Sequence, residues 1–188
     1  MHQRLPATRT ELFARLSELG IATRTVEHPP VFTVAESDKL ERDLPGGHTK
    51  NLFLKDAKDR LFLVTAASHN QIDLKRLHKV LGCARLSFGR PELLQEVLGV
   101  APGSVTAFAL INDHARRVSF VLDAQLMEHD YINCHPLENT ATTSVAREDL
   151  LRFIRACGHE PRILDLSGEP PRGGGSPGRA RAAALPAR

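Results

Sequence analysis

The chain of 188 residues has no tryptophan, one tyrosine and an aromatic share of 5%. Single-stranded RNA is bound on aromatic stacking platforms, so this scarcity disfavours a general RNA-binding module. Cysteine is equally sparse. Cys83, Cys134 and Cys157 are scattered and odd in number, which excludes a disulfide framework and fits a reducing compartment. No apolar run approaches the roughly 20 residues that span a bilayer. Met1 to Pro6 lacks the apolar stretch of a secretory signal, so a cytoplasmic protein without a membrane partner is expected.

Several chemistries are missing too. No Cys-x-x-Cys or His-Glu-x-x-His spacing occurs among the nine histidines and three cysteines, so no metal site is nominated. Adjacent Cys134 and His135 would point to opposite faces of a strand and make no dyad with each other. There is no Gly-x-Ser-x-Gly elbow and no Gly-x-Gly-x-x-Gly dinucleotide loop. Gly173 to Gly178 lacks the Gly-Lys-Ser/Thr ending of a phosphate loop. A net excess of one charge sign is also nearly absent from residues 1–167. Residues 168–188 carry Arg172, Arg179, Arg181 and Arg188 against Glu169 alone, which accounts for the whole formal excess of +3. Any contact with nucleic acid must therefore come from local patches of a neutral body.

What remains, 41% hydrophobic and 25% charged, is the composition of a globular protein. One domain is expected over residues 1–167, followed by a disordered Gly/Pro/Arg-rich tail over 168–188. Thr8-Arg9-Thr10-Glu11 is a capping box, and Leu12, Phe13, Leu16 and Leu19 continue it as a helix. Thr23–Glu27 reads as a strand and Val34–Leu40 as a short helix. Lys50–Lys55 and Leu61–Ala67 read as a hairpin. A helix over Asp73–Leu81 has Lys75, Arg76 and Lys79 on its polar face, and Pro91 opens another. Val105–Ile111 and Val118–Leu122 suggest a second hairpin, again preceded by a glycine-rich loop that could face the first across a pocket. Tyr131–Cys134 is expected as a strand, Ser144 as the cap of a last helix, and Glu160–Leu166 as a last strand.

The stretch richest in chemistry is Leu44-Pro45-Gly46-Gly47-His48-Thr49-Lys50-Asn51-Leu52-Phe53-Leu54. A Pro-Gly-Gly turn followed by an apolar strand sets a cation and an amide at a loop–strand junction, a suitable rim for a phosphate or carboxylate. On residue types alone Lys50 also reads as a solvated lysine, Asn51 as a strand-edge amide and His135 as a turn histidine. Three segments taken together are more specific: Gly46–Leu54, then Gly99-Val100-Ala101-Pro102-Gly103-Ser104, then Asn133-Cys134-His135-Pro136-Leu137-Glu138-Asn139. In this order they resemble the YbaK/ProX-like family of aminoacyl-tRNA editing domains over about residues 8–166.

The resemblance implies an α+β fold, a curved, mixed, mostly antiparallel sheet with helices around it. It implies hydrolysis of the ester in mischarged Ala-tRNA(Pro), as proofreading for prolyl-tRNA synthetase. Partners would be the acceptor end of aminoacyl-tRNA and the synthetase, with no cofactor. By the family pattern Lys50 is the essential lysine and Asn51 and His135 line its pocket, while the Gly99–Pro102 loop closes over the 3′ end, and Gly99, Pro102, Gly103 and Ser104 are nominated as substrate-binding. Val31, Phe32 and Leu52 are nominated as apolar walls. Such a cavity would admit alanine and refuse proline, a discrimination that a proline-shaped synthetase pocket cannot achieve. Two other readings stay open: a deacylase for tRNA bearing cysteine, serine or threonine, and a non-catalytic module that binds aminoacyl-tRNA or a synthetase.

Overall fold

The computed structural model describes residues 4–31 and 33–167. The tail expected to be disordered, residues 168–188, and the nominated Phe32 lie outside the described residues.

Local signals set most helix ends. Helix α1 (Arg9–Glu18) starts at Thr8, whose hydroxyl accepts from the Glu11 amide while the Glu11 carboxylate accepts from the Thr8 amide. Helix α2 (Val34–Asp43) opens on the same reciprocal pair, Thr33 and Glu36. Asp73 caps α3 (Leu74–Leu81), and α4 (Pro91–Leu98) has its proline where a missing N–H costs nothing. Helix α5 (Arg147–Ala156) turns Leu150, Leu151, Phe153 and Ile154 inward.

Eight strands form the sheet: β1 (Thr23–Glu27), β2 (Gly47–Asp56), β3 (Leu61–Ala67), β4 (Leu86–Phe88), β5 (Val118–Asp123), β6 (Tyr131–Cys134), β7 (Ala141–Ala146) and β8 (Arg162–Leu164). Their order is β1-β7-β6-β2-β3-β5-β8, with β4 paired to the end of β2. β1–β7, β2–β3, β2–β4 and β6–β7 are antiparallel, and β2–β6, β3–β5 and β5–β8 are parallel. The expected α+β class, a mixed sheet with helices around it, is therefore what the chain adopts.

Strand β3 shows where the core sits. All seven of its residues are buried, and all but Thr65 divide by alternation between two apolar clusters. Leu61 and Leu63 face a large cluster shared with α1, α4 and α5, which includes Leu12, Leu98 and Ile154. Phe62, Val64 and Ala66 face a smaller one closed by Leu77 and Leu81 of α3. Each such side chain contributes about 1.5–3 kcal/mol on burial, so a central strand used on both faces anchors everything beside it.

Three expectations fail, each for a traceable reason. Lys50 is not at a loop–strand junction, because β2 already begins at Gly47, where Gly47 and His48 pair in parallel with Ile132 and Asn133. The second hairpin does not form. Residues Ala107–Asn112 make a 3₁₀ helix, capped by the Thr106 hydroxyl accepting from the Phe108 amide at 3.3 Å, with Ala107 to Leu110 all buried. β5 finds parallel partners in β3 and β8 instead. Ser144 caps nothing: it lies in β7 between Arg24 and Asn133, and α5 starts after Ala146 without a side-chain cap.

Candidate functional site

Strand β6 ends at Cys134 and releases His135 into the loop to β7, opposite the helix α2. Between them lies a cavity of about 160 Å³ lined by Val31, Leu40, Thr49, Ser68, His135 and Thr142, with Asn133 and Cys134 behind. It adjoins a groove of about 340 Å³ between α2 and β1, and Val31 and Leu40 belong to both. A larger hollow of about 450 Å³ lies elsewhere, between the N-terminal segment, α1 and the end of α5. None of the nominated residues among those described lines that hollow, whose lining includes Arg4, Glu11, Arg15, Glu18, Asn112 and His114.

The histidine is oriented by backbone. Nδ1 of His135 donates to the Ala141 carbonyl at 3.1 Å, which leaves Nε2 as the acceptor, without a protein partner among the described residues. Burial pushes the His135 pKa below its ordinary value, the nearby His28 ring adds to this, and the Ala141 bond opposes both. The ring is thus neutral at neutral pH. His28 stands 6.4 Å away, ring centre to ring centre, tied to the Pro29 carbonyl and the Thr142 hydroxyl at 2.8 Å each.

The cysteine behind it is inert. Burial pushes the Cys134 thiol up to about 12, against a weak contact from the Thr49 hydroxyl, so it carries no nucleophilic thiolate. Thr49 donates to the Asn133 carbonyl at 2.8 Å. Asn133 itself is 2% exposed, and its Oδ1 is a buried acceptor with no partner among the described residues. Its Nδ2 lies 3.5 Å from the carbonyls of Leu44 and Pro45. That amide orientation leaves Oδ1 without a donor in a wall of the cavity.

The other nominated residues divide. Val31 lines the cavity together with His135. Lys50 is half-buried and does not itself line the cavity: its neighbours His48 and Thr49 do, while its ammonium donates to the carbonyl of Asn70, two residues beyond Ser68. Strand alternation turns Asn51 to the face opposite Lys50, the one it shares with Thr49, where its Oδ1 accepts from the Thr65 hydroxyl at 2.6 Å. Leu52 packs against the smaller core cluster. Gly99 ends α4 against Pro6 and Asn112, away from the cavity, whereas a Cβ added to Gly103 would stand 3.8 Å from the side-chain amide of Asn139 in the loop that carries His135. Pro102 is exposed and the Ser104 amide closes a turn onto Ala101. The Gly46–Gly47 turn packs on Tyr131 and His129, so the two glycine-rich loops share none of these neighbours.

The cavity surface is mostly apolar, as expected, with hydroxyls of Ser37, Thr49, Ser68 and Thr142 set among the apolar walls. Thr49 and Asn133 lie within the motif segments but are not nominated from them, and Thr142 and His28 carry no sequence signal. Among the described residues no group of three or more His, Cys, Asp or Glu could hold a metal ion, and no helix is long and apolar enough to cross a membrane.

Residues 28–153 match the family described as the aminoacyl-tRNA editing domain. Prolyl-tRNA synthetase associated domain-containing protein 1 of Danio rerio is 44% identical over 160 residues, 84% of this chain and 87% of that protein. The prolyl-tRNA editing protein ProX of Acetoanaerobium sticklandii is 36% identical over 156 residues, 82% of this chain and 95% of the relative. In fold, the chain resembles a crystal structure described as a candidate trans-editing enzyme for prolyl tRNA synthetase, with a TM-score of 0.63 at 20% identity over 85% of this chain and 98% of that one. By the extent of the family match and of these identities, the chain belongs to the aminoacyl-tRNA editing domain family.

Proposed function

We propose that this protein is a trans-acting deacylase that hydrolyses the ester of mischarged Ala-tRNA(Pro) in the cavity beside His135. One observation carries the reading: a small cavity lined by a histidine whose Nδ1 is held by backbone and whose Nε2 has no partner among the described residues, on the strand pair that also carries Lys50. The names of its relatives, an editing protein for prolyl-tRNA among them, support the substrate class.

The chemistry asks little of the protein. An aminoacyl ester is already activated, so a positioned water and a stabilised oxyanion suffice. His135 Nε2 accepts a hydrogen bond from that water or from the terminal ribose hydroxyl. Lys50 has three N–H donors, of which Asn70 takes one, and the others hold the phosphate or ester end. The turn around Gly103 supplies backbone amides beside the His135 loop. Asn51 supports the lysine strand through its bond to Thr65. Partners are then the acceptor end of tRNA(Pro) and, through it, prolyl-tRNA synthetase, in the cytoplasm.

The hydroxyls in the lining favour a second reading, a preference for serine, threonine or cysteine esters, because a site that hydrogen-bonds a substrate hydroxyl selects for it. Purified protein incubated with tRNA(Pro) charged with alanine, serine, threonine, cysteine or proline separates the two. Fastest release of alanine is expected. Fastest release of serine overturns the alanine assignment, and no release from any substrate overturns the deacylase.

A further inference from the structure

Asp123, the last residue of β5, is fully buried and has no cationic partner among the described residues. A carboxylate in such a place is costly unless donors surround it. One of its oxygens has a local use, since Oδ1 accepts from the Gln125 amide at 3.2 Å and starts a short 3₁₀ helix over Ala124–Glu128. Serine or threonine would serve there equally well. The other oxygen does something a cap does not require. Oδ2 accepts from the Ala67 amide at 3.1 Å and from the Asn70 side-chain amide at 2.6 Å. These are the first and last residues of one turn, which the Asn70 amide closes onto the Ala67 carbonyl at 3.0 Å.

A single buried oxygen thus pins both ends of the turn, and the turn has two outputs. Ser68 lines the cavity, held by its amide on the His48 carbonyl at 2.8 Å. The Asn70 carbonyl receives the Lys50 ammonium. We infer that Asp123 and Asn70 are positioning residues for Lys50, with the carboxylate fixing the turn whose carbonyl sets where the ammonium stands. This rests on the reading of Lys50 as the substrate anchor. A flexible four-carbon side chain would otherwise sample many rotamers, and a misplacement of about 1 Å can cost up to a hundredfold in rate.

The test combines Asn70→Ala, Lys50→Ala and the double variant in single-turnover deacylation. Asn70→Ala is expected to lower the maximal rate by about tenfold or more while half-saturating tRNA moves by less than about twofold. In the Lys50→Ala background the same change should alter the rate by less than about twofold, because its effect runs through the lysine. An equal loss in both backgrounds, or no loss in wild type, overturns the inference. A second readout needs no turnover: reductive methylation of Lys50, followed by mass spectrometry of its peptide. Freeing the ammonium from Asn70 should raise its methylation rate several-fold in Asn70→Ala, and in Asp123→Asn where that variant folds. Unchanged methylation in folded Asn70→Ala overturns the link even if wild type hydrolyses no ester, a result that by itself sinks only the deacylase reading.

Discussion

Two glycines with almost the same backbone offer an internally controlled test of how the fold is held. Gly82 and Gly99 each end a helix in the left-handed region, at φ +67° and +65°. They differ in surroundings. A Cβ on Gly82 would meet nothing within 4 Å, whereas one on Gly99 would stand 2.6 Å from Pro6 Cβ and 2.8 Å from Asn112 Nδ2. Asn112 has no slack, since its Nδ2 donates to the Leu98 carbonyl at 2.9 Å and its Oδ1 accepts from the Ala7 amide at 2.8 Å. For both Gly→Ala changes the left-handed conformation costs about 1–2 kcal/mol, partly offset by about 0.4–1 kcal/mol from a stiffer unfolded chain. Only Gly99→Ala adds overpacking of about 1–3 kcal/mol, and about 1 kcal/mol more if one Asn112 bond breaks. The account expects a loss of about 1 kcal/mol for Gly82→Ala and about 3–4 kcal/mol for Gly99→Ala, read from urea midpoints at constant slope. Equal losses would refute the claim that Gly99 is set by packing on the N-terminal segment.

Other expectations follow from the same geometry. Asp56 accepts from the amides of Lys58, Arg60 and Ala84 and from the Arg60 guanidinium, and these bonds outweigh burial and hold its pKa down at about 2. Its folded-state pKa is depressed, so its stabilisation is present above the unfolded value of 3.8 and is lost as pH falls through about 2. Acid unfolding of Asp56→Asn should therefore show a shallower pH dependence than wild type across that window. If neutral His135 serves the reaction, the deacylation rate falls about tenfold per pH unit below its lowered pKa, and His28→Gln moves that acid limb to higher pH by removing a neighbour that depresses it. Because burial keeps Cys134 protonated, iodoacetamide should leave it unmodified in the folded protein, and Cys134→Ala should change the deacylation rate by less than about threefold. Labelling of Cys134 without unfolding contradicts its burial.

Much of the fold was legible where the signal is local. The Thr8–Glu11 box, Pro91 at the start of α4, and strands Thr23–Glu27 and Leu61–Ala67 stand where short-range rules put them. Failures came where partners distant in sequence decide. The run Val105–Ile111 is apolar enough for a buried strand or a buried helix, and Thr106 tips it to a 3₁₀ helix. Ala141–Ala146 becomes a strand because it fits between β1 and β6, which no local pattern announced. At the site, Lys50, Asn51 and His135 are nominated through the motif, but of these only His135 lines the cavity, and the Asn51 amide oxygen is taken by the Thr65 hydroxyl, a partner 14 residues away. The buried acceptor of Asn133 and the clamp of Asp123 are tertiary facts without a sequence signature.

The most direct measurement is the release of labelled alanine from Ala-tRNA(Pro) under single turnover, by wild type, Lys50→Ala and His135→Ala, with folding of each variant checked by thermal melting. The account predicts hydrolysis by wild type and losses of about a hundredfold or more in both variants. Folded variants that release alanine at the wild-type rate would contradict it.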